Sequence, residues 1–258
     1  LAEVVVHPDC VAAWEAASRA LEGLGCEIVE VDGPFTPELL PDLRTLWACL
    51  MARVPVPADR RSELTPMVRW LAELGESLDP GAVVGARRRL GAAARRASFG
   101  DPTDVGDPSG SGSATGGGGP LRGCDLVLTP VVAVPGVGIG DFARLAPEQD
   151  FAAQTAFSPY CSGYNLTGQP AVSLPVGVTR GDEGFPAGLP VGVQLAAGVG
   201  RDGLLLAVAA RLEEVFGWAR RHPPGWAGLP SATVRPVIRG ARHVAARHGL
   251  DADVSDAT

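Results

Sequence analysis

The chain has 258 residues, 46% of them apolar and 20% charged, enough for one large domain or two small ones with a substantial core. Its net charge of −7 gives no electrostatic drive toward nucleic acid or an anionic membrane, and all 22 of its cations are arginine, because it contains no lysine. The five cysteines have no C-x-x-C spacing and the four histidines do not cluster with them, which argues against a disulfide framework and a metal site. Such thiols are expected to be buried small hydrophobes in a reducing compartment, so the expected location is cytoplasmic. The longest apolar run, Leu126 to Gly140, is broken by Pro130 and Pro135 and is too short to span a bilayer. Arg87–Arg89 and Arg95–Arg96 stand at helical spacing and are expected on a solvated face.

The chain opens Leu-Ala-Glu-Val-Val-Val-His, with neither an initiator Met nor a signal peptide, as expected of a fragment or a processed product. Val4–Val6 is a short apolar run suited to a strand buried on both faces. Asp9 is a candidate N-cap for a helix carried by Val11, Trp14, Ala17, Leu21 and Leu24, which Gly25 stops. Glu27–Val31 alternates as a second strand, so the first thirty residues predict a βαβ unit with a parallel pair. From Thr36 to Phe99 the pattern is helical, with breaks at Val54–Pro57 and Asp79–Gly81. Residues 100–123 hold Pro102, Pro108 and a long Gly/Ser tract, a composition that predicts a mobile loop. Ser109, Ser111 and Ser113 in that tract have no lysine to activate them, and the tract lacks the Gly-Lys-Ser/Thr ending of a phosphate loop.

Asp125–Thr129 predicts a buried strand, and Gly136, Gly138 and Gly140 lack the spacing of a dinucleotide loop. A helix is expected from Pro147, passing into an ordered loop near Tyr164. Then come Asn165-Leu-Thr-Gly-Gln-Pro170, a β-branched run, and Gly188-Leu-Pro-Val-Gly-Val-Gln-Leu195. In that turn Gly168 permits φ > 0 or a close backbone approach, Pro170 fixes entry to the strand, and Asn165 and Thr167 can supply side-chain bonds. Leu204, Leu205, Val208, Leu212 and Val215 mark an amphipathic helix, which Pro223-Pro224 stops. The expected organisation is a βαβ and helical segment at 1–99, the loop at 100–123, sheet and wall at 124–226, and a tail at 227–258.

D-L-V-L-T-P at 125–130 and the Tyr164–Leu195 region resemble the later half of amidase-signature enzymes, which hydrolyse carboxamide C–N bonds. The resemblance covers most of residues 1–226 and implies an α/β fold: an incomplete, amidase-signature-like mixed sheet flanked by helices. In that family a Lys and a middle Ser activate a nucleophilic Ser, and all three lie in an earlier half that has no counterpart here. No catalytic residue is therefore assigned, and no cofactor is implied. The resemblance places Phe157, Tyr160, Cys161 and Tyr164, just before the turn, on the wall that binds the acyl group, and gives Asn165, Thr167, Gly168 and Pro170 a structural role. The partners implied are a small-molecule amide and, at most, further copies of the chain. A tRNA-dependent amidotransferase subunit resembles the same pattern, but Ser158 stands where such subunits carry an Asp, seven residues before the Asn. A degenerate, non-catalytic amidase-like module is the third reading.

Overall fold

Pro8 supplies a preset φ at the first turn of helix α1 (Pro8–Gly23). This computed structural model describes residues 4–97, 99 and 121–218. Cys10, Ala13, Ala17 and Leu21 recur every three to four residues and form the buried stripe of α1. The cap differs from the sequence expectation. His7, not Asp9, is the N-cap, and its Nδ1 accepts the Asp9 N–H at 3.1 Å. Asp9 turns inward instead, to an ion pair with Arg180 described below.

The stripe of α1 packs on a three-stranded antiparallel sheet of β1 (Leu126–Pro130), β2 (Ala171–Val178) and β3 (Pro190–Ala197), in the order β1-β3-β2. Alternation sends Val191, Val193, Leu195 and Ala197 of β3 to one face, with Leu174 and Val176 of β2 beside them. Helix α7 (Asp202–Phe216) joins α1 on that face through Leu205 and Leu212. Trp14 Nε1 donates to the Leu128 carbonyl at 3.2 Å, tying α1 to β1. A bulge at Pro175–Gly177 takes up the proline in the edge strand β2, where its missing N–H is tolerated.

Three helices, α2 (Leu40–Ala52), α3 (Pro66–Glu76) and α4 (Pro80–Arg96), form a separate layer. Leu39 and Leu43 meet Leu90 and Ala93, while Ala48 and Leu71 meet Phe151 of α5 (Pro147–Phe157). The closest approach is at Gly75, where a Cβ would overlap the Ala48 carbonyl. Arg89 Nε and Nη2 reach both oxygens of the buried Asp42 at 2.7 and 2.6 Å, joining α4 to α2. The breaks fall at 53–65 and 77–79, with Asp79 accepting from Ala82 N–H as the N-cap of α4 and Gly81 inside that helix.

The mixed helix-and-strand class is as the sequence predicts. The parallel pair is not: Val4–Val6 and Glu27–Val31 form no regular secondary structure, and neither belongs to the sheet. A β-branched run favours an extended backbone by propensity, yet a ladder needs a neighbouring strand. β1 pairs only with β3, and the first run is held past the end of β1 by a 2.7 Å bond from His7 N–H to the Ala133 carbonyl. The cysteines also differ from expectation. All five are free thiols, but only Cys10 is buried, and Cys26 is exposed. The predicted loop at 100–123 falls outside the described residues from 100 to 120, although Leu121 at its end is fully buried. The tail at 227–258 lies wholly outside them.

Candidate functional site

Helix α5 begins at Pro147 with Glu148 and Asp150 in its first turn, where the helix dipole favours carboxylates. It ends at Phe157, whose carbonyl accepts the Ala133 N–H at 2.9 Å. Ser158 and the buried Pro159 turn the chain, and Tyr160–Cys161 leads into the short helix α6 (Ser162–Thr167). Gly168 closes α6 at φ +70°, a left-handed conformation, and a Cβ there would meet nothing within 4 Å. Of the two reasons for a glycine, positive φ is the one that operates.

The four wall residues diverge. The Phe157 ring packs with Val134, Phe185 and Leu189, and edge-on to Phe142 at 5.7 Å. Tyr164 is buried in a separate contact, edge-on to Phe35 at 5.6 Å, and the Phe35 ring lies so close to Gly163 that no Cβ would fit. Burial, with the Cys161 thiol beside it, pushes the Tyr164 hydroxyl up to about 12. Tyr160 and Cys161 are half-buried. The Cys161 thiol donates to the Val131 carbonyl at 3.5 Å, and Gln194 Nε2 donates to the Tyr160 carbonyl at 3.5 Å. Burial raises the Tyr160 hydroxyl above its ordinary value, with Cys10 adding to it.

In the turn, Thr167 Oγ1 lies 2.8 Å from Gln169 Oε1 and accepts the Gln169 N–H at 3.3 Å. Gln169 in turn donates to the Ala97 carbonyl at 2.9 Å, anchoring the turn to the end of α4. Asn165 is exposed and makes no side-chain hydrogen bond among the described residues. Pro170 sits at the entry to β2, and its carbonyl accepts the Ala197 N–H at 3.0 Å.

Two polar groupings escaped the sequence reading. On the sheet face away from α1, Thr129, Gln194 and Ser173 stand in register across three strands. Gln194 is only 4% exposed, and the buried Thr129 hydroxyl has no hydrogen-bond partner among the described residues. The second joins the start of α1 to the β2–β3 connection. His7 Nε2 donates to Asp182 Oδ2 at 2.8 Å, the tautomer fixed by its Nδ1 accepting from Asp9 N–H. The hydrogen bond from His7, with those from Gly184 and Phe185 N–H, holds the Asp182 carboxyl down at about 2. Burial pushes the Asp9 carboxyl up, but the side-chain and backbone bonds from Arg180 outweigh it and leave it below its ordinary value. Burial, and then the Asp9 carboxylate, push the neighbouring Cys10 thiol up to about 11, so it is a packing group and no nucleophile. The His7–Asp182 bond closes 175 residues of chain, a separation over which local pattern carries no signal.

Among the described residues no group of His, Cys, Asp and Glu is arranged to hold a metal ion. Gly136, Gly138 and Gly140 belong to a loop closed by the buried Asp141, whose Oδ2 accepts the Gly138 N–H at 2.8 Å. A cavity of about 50 Å³ between α2 and α3, lined by Met51, Val54, Leu64 and Arg69, has room for one or two waters. Among the described residues no helix is long and apolar enough to cross a membrane.

The chain has relatives among known proteins. AmiA2 of Mycobacterium tuberculosis, an amidase by its name, is 30% identical over 227 residues, covering 86% of this chain and 40% of that protein. The 6-aminohexanoate-cyclic-dimer hydrolase of Paenarthrobacter ureafaciens is 37% identical over 111 residues, 39% of this chain and 21% of its own length. A solved structure of 6-aminohexanoate cyclic dimer hydrolase with substrate superposes with a TM-score of 0.59 at 24% identity, over 84% of this chain and 43% of that one. A bacterial aryl acylamidase of the amidase-signature family superposes with a TM-score of 0.56 at 15% identity. The chain thus spans about two-fifths of the length of AmiA2. The Amidase family model matches residues 1–206, and the chain belongs to the amidase family.

Proposed function

We propose that this chain is the sheet-and-wall portion of an amidase that hydrolyses the C–N bond of a small carboxamide. The observation that carries the reading is the family match over residues 1–206 in a chain without lysine. The family's chemistry needs a Lys–Ser–Ser triad: the Lys and the middle Ser take the proton of the nucleophilic Ser, which attacks the carbonyl carbon. Amine leaves, and water then releases the acid. With no lysine present, the triad belongs to the part of the fold that this chain does not span. Its own contribution is the half-buried Tyr160–Cys161 edge, tethered by Gln194 and the Val131 carbonyl, against which the acyl group lies.

A second reading, the amidase-like component of a tRNA-dependent amidotransferase, draws support from a 29% match over 234 residues to a component of the glutamyl-tRNA(Gln) amidotransferase of Bordetella petrii. Ser158 offers no negative charge for the amino group of glutamine, which favours an uncharged amide. A chimera in which this chain replaces its 227-residue match in AmiA2 tests both readings. It should release ammonia from hexanamide in preference to glutamine. The isolated chain should release none. Ammonia release by the isolated chain, abolished by substituting one of its own serines, would overturn the assignment of the triad.

A further inference from the structure

A helix N-cap needs only a short side-chain acceptor, which Ser, Asp or Asn supplies. At the start of α1 that position is His7, which is 3% exposed, and its ring makes contacts beyond the cap. Nδ1 accepts the Asp9 N–H, so Nε2 carries the proton and donates it to Asp182 Oδ2 at 2.8 Å. The ring also stands edge-on to Phe185, with 5.2 Å between centroids. Asp182 and Phe185 belong to the β2–β3 connection, residues 179–189. A second link holds that connection to α1: Arg180 donates from its backbone N–H and its Nε to the Asp9 carboxylate, at 3.1 and 2.7 Å.

The same histidine reaches the candidate wall by two routes. One is main chain: the His7 N–H donates to the Ala133 carbonyl at 2.7 Å, and the Ala133 N–H donates to the Phe157 carbonyl at 2.9 Å. One peptide group of Ala133 thus faces His7 and the other faces Phe157. The second route runs through rings, for Phe185 packs on His7 and shares a cluster with Val134 and Phe157. The segment 157–161 rests on residues 131–133 at both ends, at Phe157 through Ala133 and at Cys161 through the Val131 carbonyl.

We propose that His7, oriented by Asp182, is a positioning residue for the acyl wall and sets where the segment 157–161 stands against a bound amide. Without the bond to Asp182 the ring is free to turn, and Ala133 and Phe185, which lean on it, lose their fixed place. A long acyl chain then loses its contact with the wall, whereas a short one that does not reach the wall loses little. The proposal rests on the hydrolytic reading, since it takes 157–161 as the wall.

Asp182→Asn separates the link from the turn that carries it. The remaining oxygen can still take the Gly184 and Phe185 N–H bonds, now 2.7 and 2.8 Å, while the new amide sets a donor against His7 Nε2–H. A change of tautomer at His7 would forfeit the bond from Asp9 N–H. In the intact 258-residue chain, the Ala133 amide should exchange about tenfold faster in this variant while β3 amides keep their rates. In the AmiA2 chimera, kcat/KM for hexanamide relative to acetamide should fall about tenfold, with kcat for acetamide unchanged. His7→Asn, which keeps a cap acceptor and loses the ring, should do the same in both proteins. Glu183→Gln, exposed in the same connection, should do neither. Unchanged exchange at Ala133 would overturn the proposal. So would an equal loss on the two amides, the mark of a general loss of fold, or an equal effect of Glu183→Gln. A wild-type chimera that hydrolyses neither amide would count against the hydrolytic reading, and exchange at Ala133 would then decide the positioning alone.

Discussion

Gly168 shows how one backbone angle can outweigh a side chain. At φ +70° it ends α6 and aims the chain into β2, and the space around it is open. Strain alone therefore sets the cost of a substitution, about 1–3 kcal/mol for a β-branched residue. Gly168→Val should lower the melting temperature by several degrees, and Gly168→Asn by clearly less, because Asn tolerates that region. Equal losses would mean that something other than φ controls the site. Asp182 is a residue-scale case of a different kind. Its carboxyl is held at about 2 against an ordinary 3.8, so it favours the folded state in its charged form. That contribution is complete above the unfolded value and is lost as pH falls from about 4 through 2. Asp182 is partly exposed, so the effect is screened and modest. Urea midpoints should separate wild type from Asp182→Asn at pH 5 and converge toward pH 2. A gap that is constant across that range would detach the stabilisation from the charge.

Between elements, the crossing of α2 and α3 gives a case where propensity and packing disagree in sign. In a helix, Gly→Ala ordinarily stabilises by about 0.5–1 kcal/mol. At Gly75 the added methyl would overlap the Ala48 carbonyl, a backbone atom that cannot rotate away. Overpacking of that kind costs about 1–3 kcal/mol, so packing wins, and Gly75→Ala should melt earlier than wild type. The control Gly23→Ala, where a Cβ meets nothing within 4 Å, should not. The longer helices were legible in the sequence because their signals are local, a proline at or near the first turn and apolar residues every three or four positions, whereas α6 stands where an ordered loop was expected. Strand β1 was legible within one residue, as an apolar run ended by a proline, although its residues are partly rather than fully buried. Val4–Val6 and Glu27–Val31 carry the same local signal, but pairing depends on a neighbour that the run itself does not specify. The turn's glycine could be read from its residue type. The partners of Gln194, Asp9 and His7 could not, since they lie tens to well over a hundred residues away.

At the scale of the whole molecule, the chain belongs to the amidase family and covers only part of its relatives. Apolar positions such as Val5, Val29 and Val199 are more than half exposed. Burying a side chain of that size contributes about 1.5–3 kcal/mol. The AmiA2 chimera should therefore melt at a higher temperature than the isolated chain and bind less of a hydrophobic dye. Under the proposed function, the same comparison should separate activity in the chimera from none in the isolated chain. A chimera no more stable than the isolated chain would mean that these residues stay exposed in the chimera as well.

The strand order also dictates an assembly sequence in time. β2 and β3 are neighbours along the chain, joined by residues 179–189, and they can zip as a hairpin at small entropic cost. β1 must close some sixty residues to reach β3, and α1 must close 114 between Trp14 and Leu128. Contacts so distant along the chain form late and slowly. Conservative truncations in the hairpin, such as Val193→Ala, should therefore slow refolding nearly in proportion to the stability they remove. Ala17→Gly in α1 should leave the refolding rate almost unchanged and speed unfolding instead. The reverse pattern in stopped-flow refolding would show that α1 docks before the hairpin closes.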